Sequence, residues 1–285
     1  TIQDSVNDLR ALLNTVPLGC LCVFAGESWG GSVVRVFAGQ YPSDVAGLVF
    51  VDPVPPGFID QFLSLVASDE PGFSSLMGTD NPERMDQLNS FRQADAAAPP
   101  PPVPIVVITH GLFLGFPLNF PVEQLESVWQ SSQTAYARAN HARLIVAQTS
   151  GNSVVREQPD VVVAAVQTVV AAARDPASLQ TALIVHRLDA TGRPLPGACF
   201  QIYADAGGGA RGEFRGGACD TDGDGAADGA IPFPPLPPGN YVLQEVNPPE
   251  GVAATPDVPV AIAGLETNVD VQSVPEPTPT VTVTA

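Results

Sequence analysis

The stretch CVFAGESWGGSVVRVF, residues 22–37, passes from an apolar run to a glycine-rich turn and then to a helical pattern. The apolar run that begins at Leu21 and ends at Ala25 predicts a short buried strand. Apolar side chains at helical spacing predict a helix over Gly31–Gln40. Because a buried strand followed by a helix is the repeating unit of parallel α/β folds, these residues decide the fold class of the first half.

The turn between strand and helix reads Gly26-Glu27-Ser28-Trp29-Gly30, which fits the pattern G-x-S-x-G in a strand–turn–helix context. Glycines at both ends let the strand and the helix approach each other while the serine side chain projects from the turn. This arrangement predicts Ser28 as a nucleophile and the backbone N–H of Trp29 as an oxyanion donor. The alternative interpretation is a glycine-rich turn with an incidental serine.

Strand and helix patterns continue to alternate on both sides of this turn. Apolar runs predict further strands at Ala46–Val51, Ile105–Thr109 and Arg143–Ala147. Helical patterns fall at Asp4–Leu13, Val122–Asn140 and Pro159–Arg174. The alternation predicts a parallel sheet covered by helices on both faces, in a domain over residues 1–176. Residues 57–104 interrupt the pattern and predict a lid-like insert.

After Pro176 the helical periodicity disappears, and β-rich segments alternate with Gly/Pro turns. The predicted strands lie at 180–188, 197–204, 240–246, 258–263 and 267–273. The pattern predicts an all-β sandwich over residues 177–274. The tail at 275–285, PEPTPTVTVTA, is typical of an extended Pro/Thr-rich linker or stalk.

The composition excludes some classes of partner. The chain has 285 residues, a formal net charge of −18 and no lysine. Nucleic acids and anionic membrane surfaces attract Arg and Lys, so the charge argues against both. No run of about 20 apolar residues is present, so a membrane span is not expected.

The first half resembles the α/β-hydrolase superfamily, in particular its esterase, lipase and peptidase-like members. The resemblance extends over residues 4–174 and is most specific at 22–53, which contains GESWGGSVVRVFAGQYPSDVAGLVFVDP. It implies that Ser28 is the nucleophile and that Asp52, after the next strand, is a candidate for the triad acid. The more usual acid position follows the third strand, where His110 stands instead. Asp52 as a loop cap is the alternative interpretation.

The resemblance also implies a catalytic histidine in a Ser-Gly-His turn after the last strand, but this chain has Asn152 at that position. An amide cannot accept and return a proton, so Ser28 lacks its general base. His110 is the candidate replacement, with a loop-capping or pocket-lining role as the alternative. The family's earlier strands are expected upstream of Thr1. The resemblance therefore predicts a serine hydrolase module for an acyl ester or related substrate, impaired as given and without a catalytic cofactor.

The second half resembles the Cna-B or SpaA-like pilin modules of bacterial surface proteins, through LIVHRLDATGRPLPGACFQIY and AIPFPPLPPGNYVLQEVNPPEGV. In that family an early lysine forms an isopeptide bond, assisted by a glutamate that corresponds to Glu245. Arg187 stands at or next to the lysine position, so the crosslink cannot form and Arg187 is expected to pair with Glu245. A disulfide between Cys199 and Cys219 is the expected replacement.

The remaining cysteines, Cys20 and Cys22, occupy alternate positions of the apolar run that precedes the serine turn. Both side chains would face the same side of the predicted strand. We interpret them as buried free thiols.

An acidic segment of the second half, DTDGDGAAD, places Asp220, Asp222, Asp224 and Asp228 at positions 1, 3, 5 and 9, with glycine at position 6. This spacing matches a Ca²⁺-binding loop up to its last ligand, because position 12 is Ile231. The sequence thus predicts a calcium site, with a polar hairpin turn as the alternative.

Two functions follow from these patterns. The first is the serine hydrolase module, whose partner is a small-molecule acyl substrate. The alternative is a non-catalytic binding or display protein of the cell surface, in which the β module and the stalk present the first half to a surface partner. Both predict a secreted or cell-surface bacterial protein.

Overall fold

A computed structural model describes residues 1–16, 21–66, 77, 81, 84–112, 120–222 and 225–273, and of Ser178 it describes only the backbone. The chain divides into two compact units, Thr1–Leu179 and Gln180–Ala285. None of the described helices is both long and apolar enough to cross a membrane.

The first unit is built on a four-stranded sheet of order β1-β2-β3-β4, in which neighbouring strands run parallel. Its strands are β1 (Cys22–Glu27), β2 (Val45–Val51), β3 (Ile105–His110) and β4 (Arg143–Ala147). The central strands β2 and β3 are almost completely buried, whereas the edge strands β1 and β4 are partly exposed. The predicted parallel sheet is confirmed.

Helices cover both faces of this sheet. They are α1 (Ile2–Thr15), α2 (Trp29–Gln40), α3 (Phe58–Leu65), α4 (Gln87–Asp95), α5 (Val122–Ala139), α6 (Val154–Glu157) and α7 (Pro159–Arg174). On one face Leu48 and Phe50 pack with Phe37 of α2 and Tyr136 of α5. On the other face α7 packs so closely that a Cβ at Gly47 would lie 2.3 Å from the Val169 side chain.

The insert after β2 carries a smaller apolar cluster of its own. Phe58 and Phe62 of α3 pack with Phe91 of α4 and with Trp129 of α5. The described part of the insert therefore forms helices that are anchored to α5. The sequence predicted a lid-like insert at residues 57–104 without assigning helices to it, because the polar residues between these helices obscure their short periodic patterns.

The second unit contains two sheets, ordered β10-β9-β6-β7 and β11-β5-β8. Their strands are β5 (Thr181–Leu188), β6 (Cys199–Asp205), β7 (Arg211–Cys219), β8 (Ala230–Leu236), β9 (Gly239–Asn247), β10 (Val258–Ile262) and β11 (Glu266–Gln272). The first and last strands, β5 and β11, pair in parallel. Strand β5 alternates between buried and partly buried residues, as expected for a strand with one face on the core.

Two strands of the second unit were not predicted from the sequence. Strand β7 is largely exposed and rich in Gly and Arg, so it has no alternating apolar pattern. Strand β8 contains three prolines, and it lies at the edge of its sheet, where a missing N–H is tolerated. The β-sandwich prediction is confirmed with these two additions.

Candidate functional site at the carboxyl edge of the parallel sheet

Ser28 lies at the corner between β1 and α2, with a strained backbone conformation. Its φ is 50° and its ψ is −116°, in a region that non-glycine residues rarely adopt. The Ser28 N–H donates to the carbonyl oxygen of Val51 at 2.9 Å, which holds the corner against the end of β2. The predicted sharp turn is therefore present, and the role of Ser28 as a nucleophile stays a prediction.

Two glycines make this corner possible, and only one of them, Gly26, is among the two expected. A Cβ at Gly26 would lie 2.4 Å from the carbonyl oxygen of Gly30, and one at Gly31 would lie 2.9 Å from the Pro53 side chain. A Cβ at Gly30 would meet nothing within 4 Å. The close approach thus depends on Gly26 and Gly31, and the sequence pattern alone did not distinguish Gly31 from Gly30.

Trp29 is the first residue of α2, so its N–H has no acceptor one turn earlier in the helix. Its indole contacts Phe91 edge-on, with ring centroids 5.7 Å apart. The side chain therefore belongs to the packing between α2 and the insert. The predicted oxyanion role concerns only its backbone N–H and stays a prediction.

Asp52 is fully buried at the carboxyl end of β2 and has an unusual φ of 44°. Nδ1 of His110 lies 2.8 Å from both Asp52 carboxylate oxygens, and the His110 backbone N–H donates to Oδ1 at 3.2 Å. The indole N–H of Trp129 donates to the same Oδ1 at 3.1 Å. Asp52 therefore orients His110 and Trp129, as a buried carboxylate with several donors would.

The other nitrogen of His110 faces a second carboxylate, which sequence reasoning missed. Nε2 lies 3.2 Å from both carboxylate oxygens of Glu126 on α5. Gln130, one turn later, donates to the His110 carbonyl oxygen at 2.9 Å and to Glu126 Oε1 at 2.8 Å. Glu126 and Gln130 share one helix face, but this spacing gives no sign in the sequence that the face meets His110.

These contacts determine the charge of His110. Burial lowers the pKa of His110, but the hydrogen bonds and the attraction of Asp52, and then of Glu126, together raise it above its ordinary value. With carboxylates on both ring nitrogens, the ring is favoured as a doubly protonated imidazolium. An imidazolium cannot accept a proton, so this geometry does not suit His110 as the general base for Ser28.

Asn152 is exposed in the loop after β4, near the same edge of the sheet. Neighbours of Asn152 hold the loop: Gly151 N–H donates to Glu157 Oε2 at 2.8 Å, and Thr149 N–H donates to Gln158 Oε1 at 3.0 Å. The Val155 N–H donates to Oε1 of Glu27, the residue before Ser28, at 2.9 Å. The loop expected to carry the catalytic histidine is thus tied to the serine corner.

In the second unit, Arg187 and Glu245 form a buried ion pair, as predicted. Both side chains are fully buried, and Arg187 Nε donates to Glu245 Oε1 at 2.8 Å. Arg187 Nη1 also donates to the Leu188 carbonyl oxygen at 2.8 Å and to Ser273 Oγ at 2.9 Å. Glu245 Oε2 accepts from the N–H of Thr255 at 2.6 Å and from its hydroxyl at 3.0 Å.

The acidic loop of the second unit uses its carboxylates to hold the turn. Asp220 is buried and accepts from the N–H groups of Gly197 at 2.6 Å and Gly229 at 2.8 Å. Asp222 accepts from Cys219 N–H at 2.7 Å, and Asp228 accepts from Ala230 N–H at 2.9 Å. Asp224 lies outside the described residues. No cluster of potential metal ligands occurs among the residues that are described. Calcium binding stays a prediction beside the polar-turn alternative.

The cysteines differ in part from the expectation. Cys199 and Cys219 stand directly opposite each other on β6 and β7 and form a disulfide. Cys22 is also disulfide-bonded and only partly buried, so its interpretation as a buried free thiol is wrong. Its position at the start of the edge strand β1 explains the difference, because the thiol is accessible there to oxidation. Cys20 lies outside the described residues.

Comparison with known proteins concerns the second unit. The family model of the SpaA prealbumin-like fold domain matches residues 181–274. No curated protein matches this chain. The β module is therefore a SpaA-like domain, and the hydrolase resemblance of the first unit stays a prediction.

Several solved structures are similar to about a third of the chain. The Bacillus anthracis TIE protein is 22% identical over 34% of this chain and 18% of its own, with a TM-score of 0.27. The major pilin SpaD from Corynebacterium diphtheriae is 17% identical over 34% of this chain and 30% of its own, with a TM-score of 0.27. A streptococcal ancillary pilin is 24% identical over 34% of this chain and 32% of its own, with a TM-score of 0.26. The chain thus spans between 18% and 32% of the length of these structures.

Proposed function

We propose that this chain is a non-catalytic binding and display protein of the bacterial cell surface. In this proposal the SpaA-like domain is the spacer, and the α/β unit is the module that it presents. The match of residues 181–274 to the SpaA prealbumin-like domain supports the spacer role. The disulfide between Cys199 and Cys219 suits an extracellular location, because such bonds persist outside the reducing cytosol.

The observation that carries the non-catalytic part of the proposal is the position of His110. Its two ring nitrogens face Asp52 and Glu126, so the ring has no free nitrogen to accept a proton from Ser28. The residue at the family's histidine position, Asn152, has no basic group. A serine without a base loses several orders of magnitude in rate, on the scale of the triad deletions measured in other serine hydrolases.

A second candidate function is serine hydrolase activity on an acyl ester, and one observation favours it. Ser28 keeps a backbone conformation that only a special role or a tight corner explains, with φ at 50°. Non-glycine residues in this region are characteristic of functional sites, where the surrounding structure imposes the strain. We therefore propose that the α/β unit derives from a serine hydrolase.

Fluorophosphonate labelling and hydrolysis of a short activated ester distinguish the two candidates. We expect neither labelling nor turnover by the full chain above the level of its Ser28→Ala variant. Asn152→His should then create labelling that the double variant Asn152→His/Ser28→Ala abolishes, because the added imidazole supplies the missing base. Labelling of Ser28 in the unaltered chain, with turnover lost in Ser28→Ala, would contradict the non-catalytic proposal.

The display role requires a separate experiment on intact cells of the source organism. An antibody against the α/β unit should bind the cell surface, and external protease should remove the signal without lysis. A cytosolic marker protein provides the control for cell integrity. Detection of the chain only after lysis would refute the display role and would leave the result on Ser28 unaffected.

A further inference from the structure

The lining of one cavity in the first unit does not include Ser28, Asp52 or His110. This cavity has a volume of about 330 Å³ and opens between α2, α5 and two proline segments. Its lining includes Arg35, Tyr136, Ser132, Pro56, Pro99 and Pro100. Cavities of this size hold molecules about as large as a substituted benzene ring.

The cavity contains an arginine whose charge is not compensated. Arg35 is only 8% exposed, and its Nε and Nη1 are buried without a hydrogen-bond partner. The ion pairs among the described residues do not include Arg35. Asp95 acts on it only from a distance, and the Asp95 carboxylate accepts the Gly57 N–H at 3.1 Å. A buried guanidinium without an anion is energetically costly, so the cavity favours the binding of an anionic ligand.

A second unpaired donor lies beside this guanidinium. Tyr136 is 7% exposed, and its hydroxyl is buried without a hydrogen-bond partner. The Arg35 guanidinium carbon is 6.0 Å from the centre of the Tyr136 ring, and neither the Tyr136 hydroxyl nor Nε and Nη1 of Arg35 has a hydrogen-bond partner. Burial raises the pKa of Tyr136 far above its usual value, so the hydroxyl keeps its proton and remains a donor.

The rest of the lining is suited to an apolar group. Pro56, Pro99 and Pro100 present ring surfaces, and proline has no backbone N–H that would require an acceptor. The chain as a whole carries a charge of −18, which opposes large polyanions at long range. A ligand with a single negative charge and an apolar body therefore fits the cavity best.

We propose that this cavity binds a small organic acid, with its carboxylate on Arg35 and Tyr136 and its apolar part against the three prolines. The inference deepens the binding role in the proposed function and names its ligand class. It fails separately, because loss of carboxylate binding would leave the reactivity of Ser28 and the surface location of the chain unchanged.

Calorimetric titration of the full chain with benzoate, and with benzamide as the uncharged match, tests this proposal. We expect saturable benzoate binding and at least about tenfold weaker binding of benzamide, because a charge-assisted hydrogen bond is lost. Arg35→Met should reduce benzoate affinity at least about tenfold, and Tyr136→Phe about threefold. Arg174→Met, an exposed arginine at the end of α7, is the matched control and should bind benzoate normally.

Three results would overturn the proposal: equal binding of benzoate and benzamide, full benzoate affinity in Arg35→Met, or no saturation at concentrations of about 20 mM, far above an ordinary ligand Kd. A dipeptide with a free carboxyl end, compared with its amide, tests a peptide terminus as the source of the carboxylate. Binding of that dipeptide without binding of benzoate would also contradict a small organic acid. If Arg35→Met does not fold, the benzoate and benzamide comparison and the Tyr136→Phe variant still decide.

Discussion

The two units of this chain bury charge in different ways. In the second unit one cation, Arg187, meets one anion, Glu245, and both are fully buried. In the first unit one imidazole, His110, lies between two carboxylates, Asp52 and Glu126. Arginine remains charged at every accessible pH, whereas histidine changes its charge near neutrality. The cation of the buried pair in the second unit is therefore permanent, whereas the charge of the cation in the first unit's cluster depends on pH.

The units also differ in how they use left-handed backbone conformations. In the described part of the second unit every residue with clearly positive φ is a glycine, as at Gly229 and Gly251. In the first unit Ser28 and Asp52, at the ends of adjacent strands, have positive φ without being glycine. Strain of this kind is retained where a side chain is needed at that position. Arg84 and His141 also have positive φ, so the two residues at the strand ends belong to a set of four in the described part of the first unit.

The largest effect is expected from breaking the buried ion pair of Arg187 and Glu245. Glu245→Leu should lower the free energy of unfolding of the second unit by about 3–5 kcal/mol, because Arg187 is left buried without an anion. The double variant Arg187→Met/Glu245→Leu should recover most of this loss. Denaturant unfolding by circular dichroism measures the change, while tryptophan fluorescence reports on the first unit alone, which holds Trp29 and Trp129.

The exposed pair of Arg215 and Glu213, joined at 3.0 Å on β7, is the matched control. Glu213→Gln should change the stability by less than about 1 kcal/mol, because solvent screens the pair. If Glu245→Leu cost no more than Glu213→Gln, the buried pair would not hold the sandwich together.

The next largest effect is expected from the crosslink of the same unit. Replacing Cys199 and Cys219 by serine should cost about 3 kcal/mol, because the bond closes a loop of moderate length in the unfolded chain. A reducing agent would also break the disulfide of Cys22 in the first unit, so the serine variant is compared with the unaltered protein under oxidising conditions. Equal stability of the second unit in the unaltered protein and in the serine variant would show that the disulfide does not stabilise it.

A smaller effect is expected from the titratable cluster of the first unit. Since contacts with Asp52 and Glu126 raise the pKa of His110 above its unfolded value of about 6.5, the contribution of its charge is complete below that pH. This stabilisation is lost as the pH rises through the pKa of His110 in the folded protein. Its size is about 1.4 kcal/mol for each unit between the folded and unfolded pKa values. The stability of the first unit should therefore decline as the pH rises above about 6.5.

Trp129 offers a direct readout of this titration, because its ring centroid lies 5.7 Å from that of His110. A charged imidazole quenches a neighbouring indole, so fluorescence should rise as His110 loses its proton. His110→Gln should abolish the change, and His141→Asn, at an exposed histidine with φ of 48°, should leave it intact. A fluorescence midpoint at or below the ordinary pKa of histidine would contradict the assigned contacts.

Local patterns were sufficient to predict part of this architecture. The bounds of β4 and α7 agree with the sequence, because an apolar run and a proline at the first helical position mark them without ambiguity. The pairing of Arg187 with Glu245 followed from the family position of Glu245, since a buried arginine requires an anion.

Other features could not be predicted because they depend on how distant elements meet. Glu126 reads as a solvent-facing residue of an amphipathic helix, and its contact with His110 arises only from where α5 crosses the end of the sheet. The unpaired donors of Arg35 and Tyr136 likewise come together from two helices about one hundred residues apart in the chain. No local periodicity carries such information.

The smallest effect is expected at the strained corner, and its sign distinguishes the two units. Ser28→Gly should raise the free energy of unfolding of the first unit by about 1 kcal/mol, because glycine tolerates a φ of 50° that serine does not. Gly251→Ala in the second unit should lower its free energy of unfolding by about 1 kcal/mol, because the φ of Gly251 is 77°. A Cβ there would meet nothing within 4 Å, so the loss comes from the backbone and not from a clash. Ser28→Ala, which keeps the Cβ, should change stability little, so the gain in Ser28→Gly can be assigned to the backbone. Equal stability of Ser28→Gly and Ser28→Ala would mean that the corner stores no strain, and the comparison of the two units would then depend on their buried charges alone.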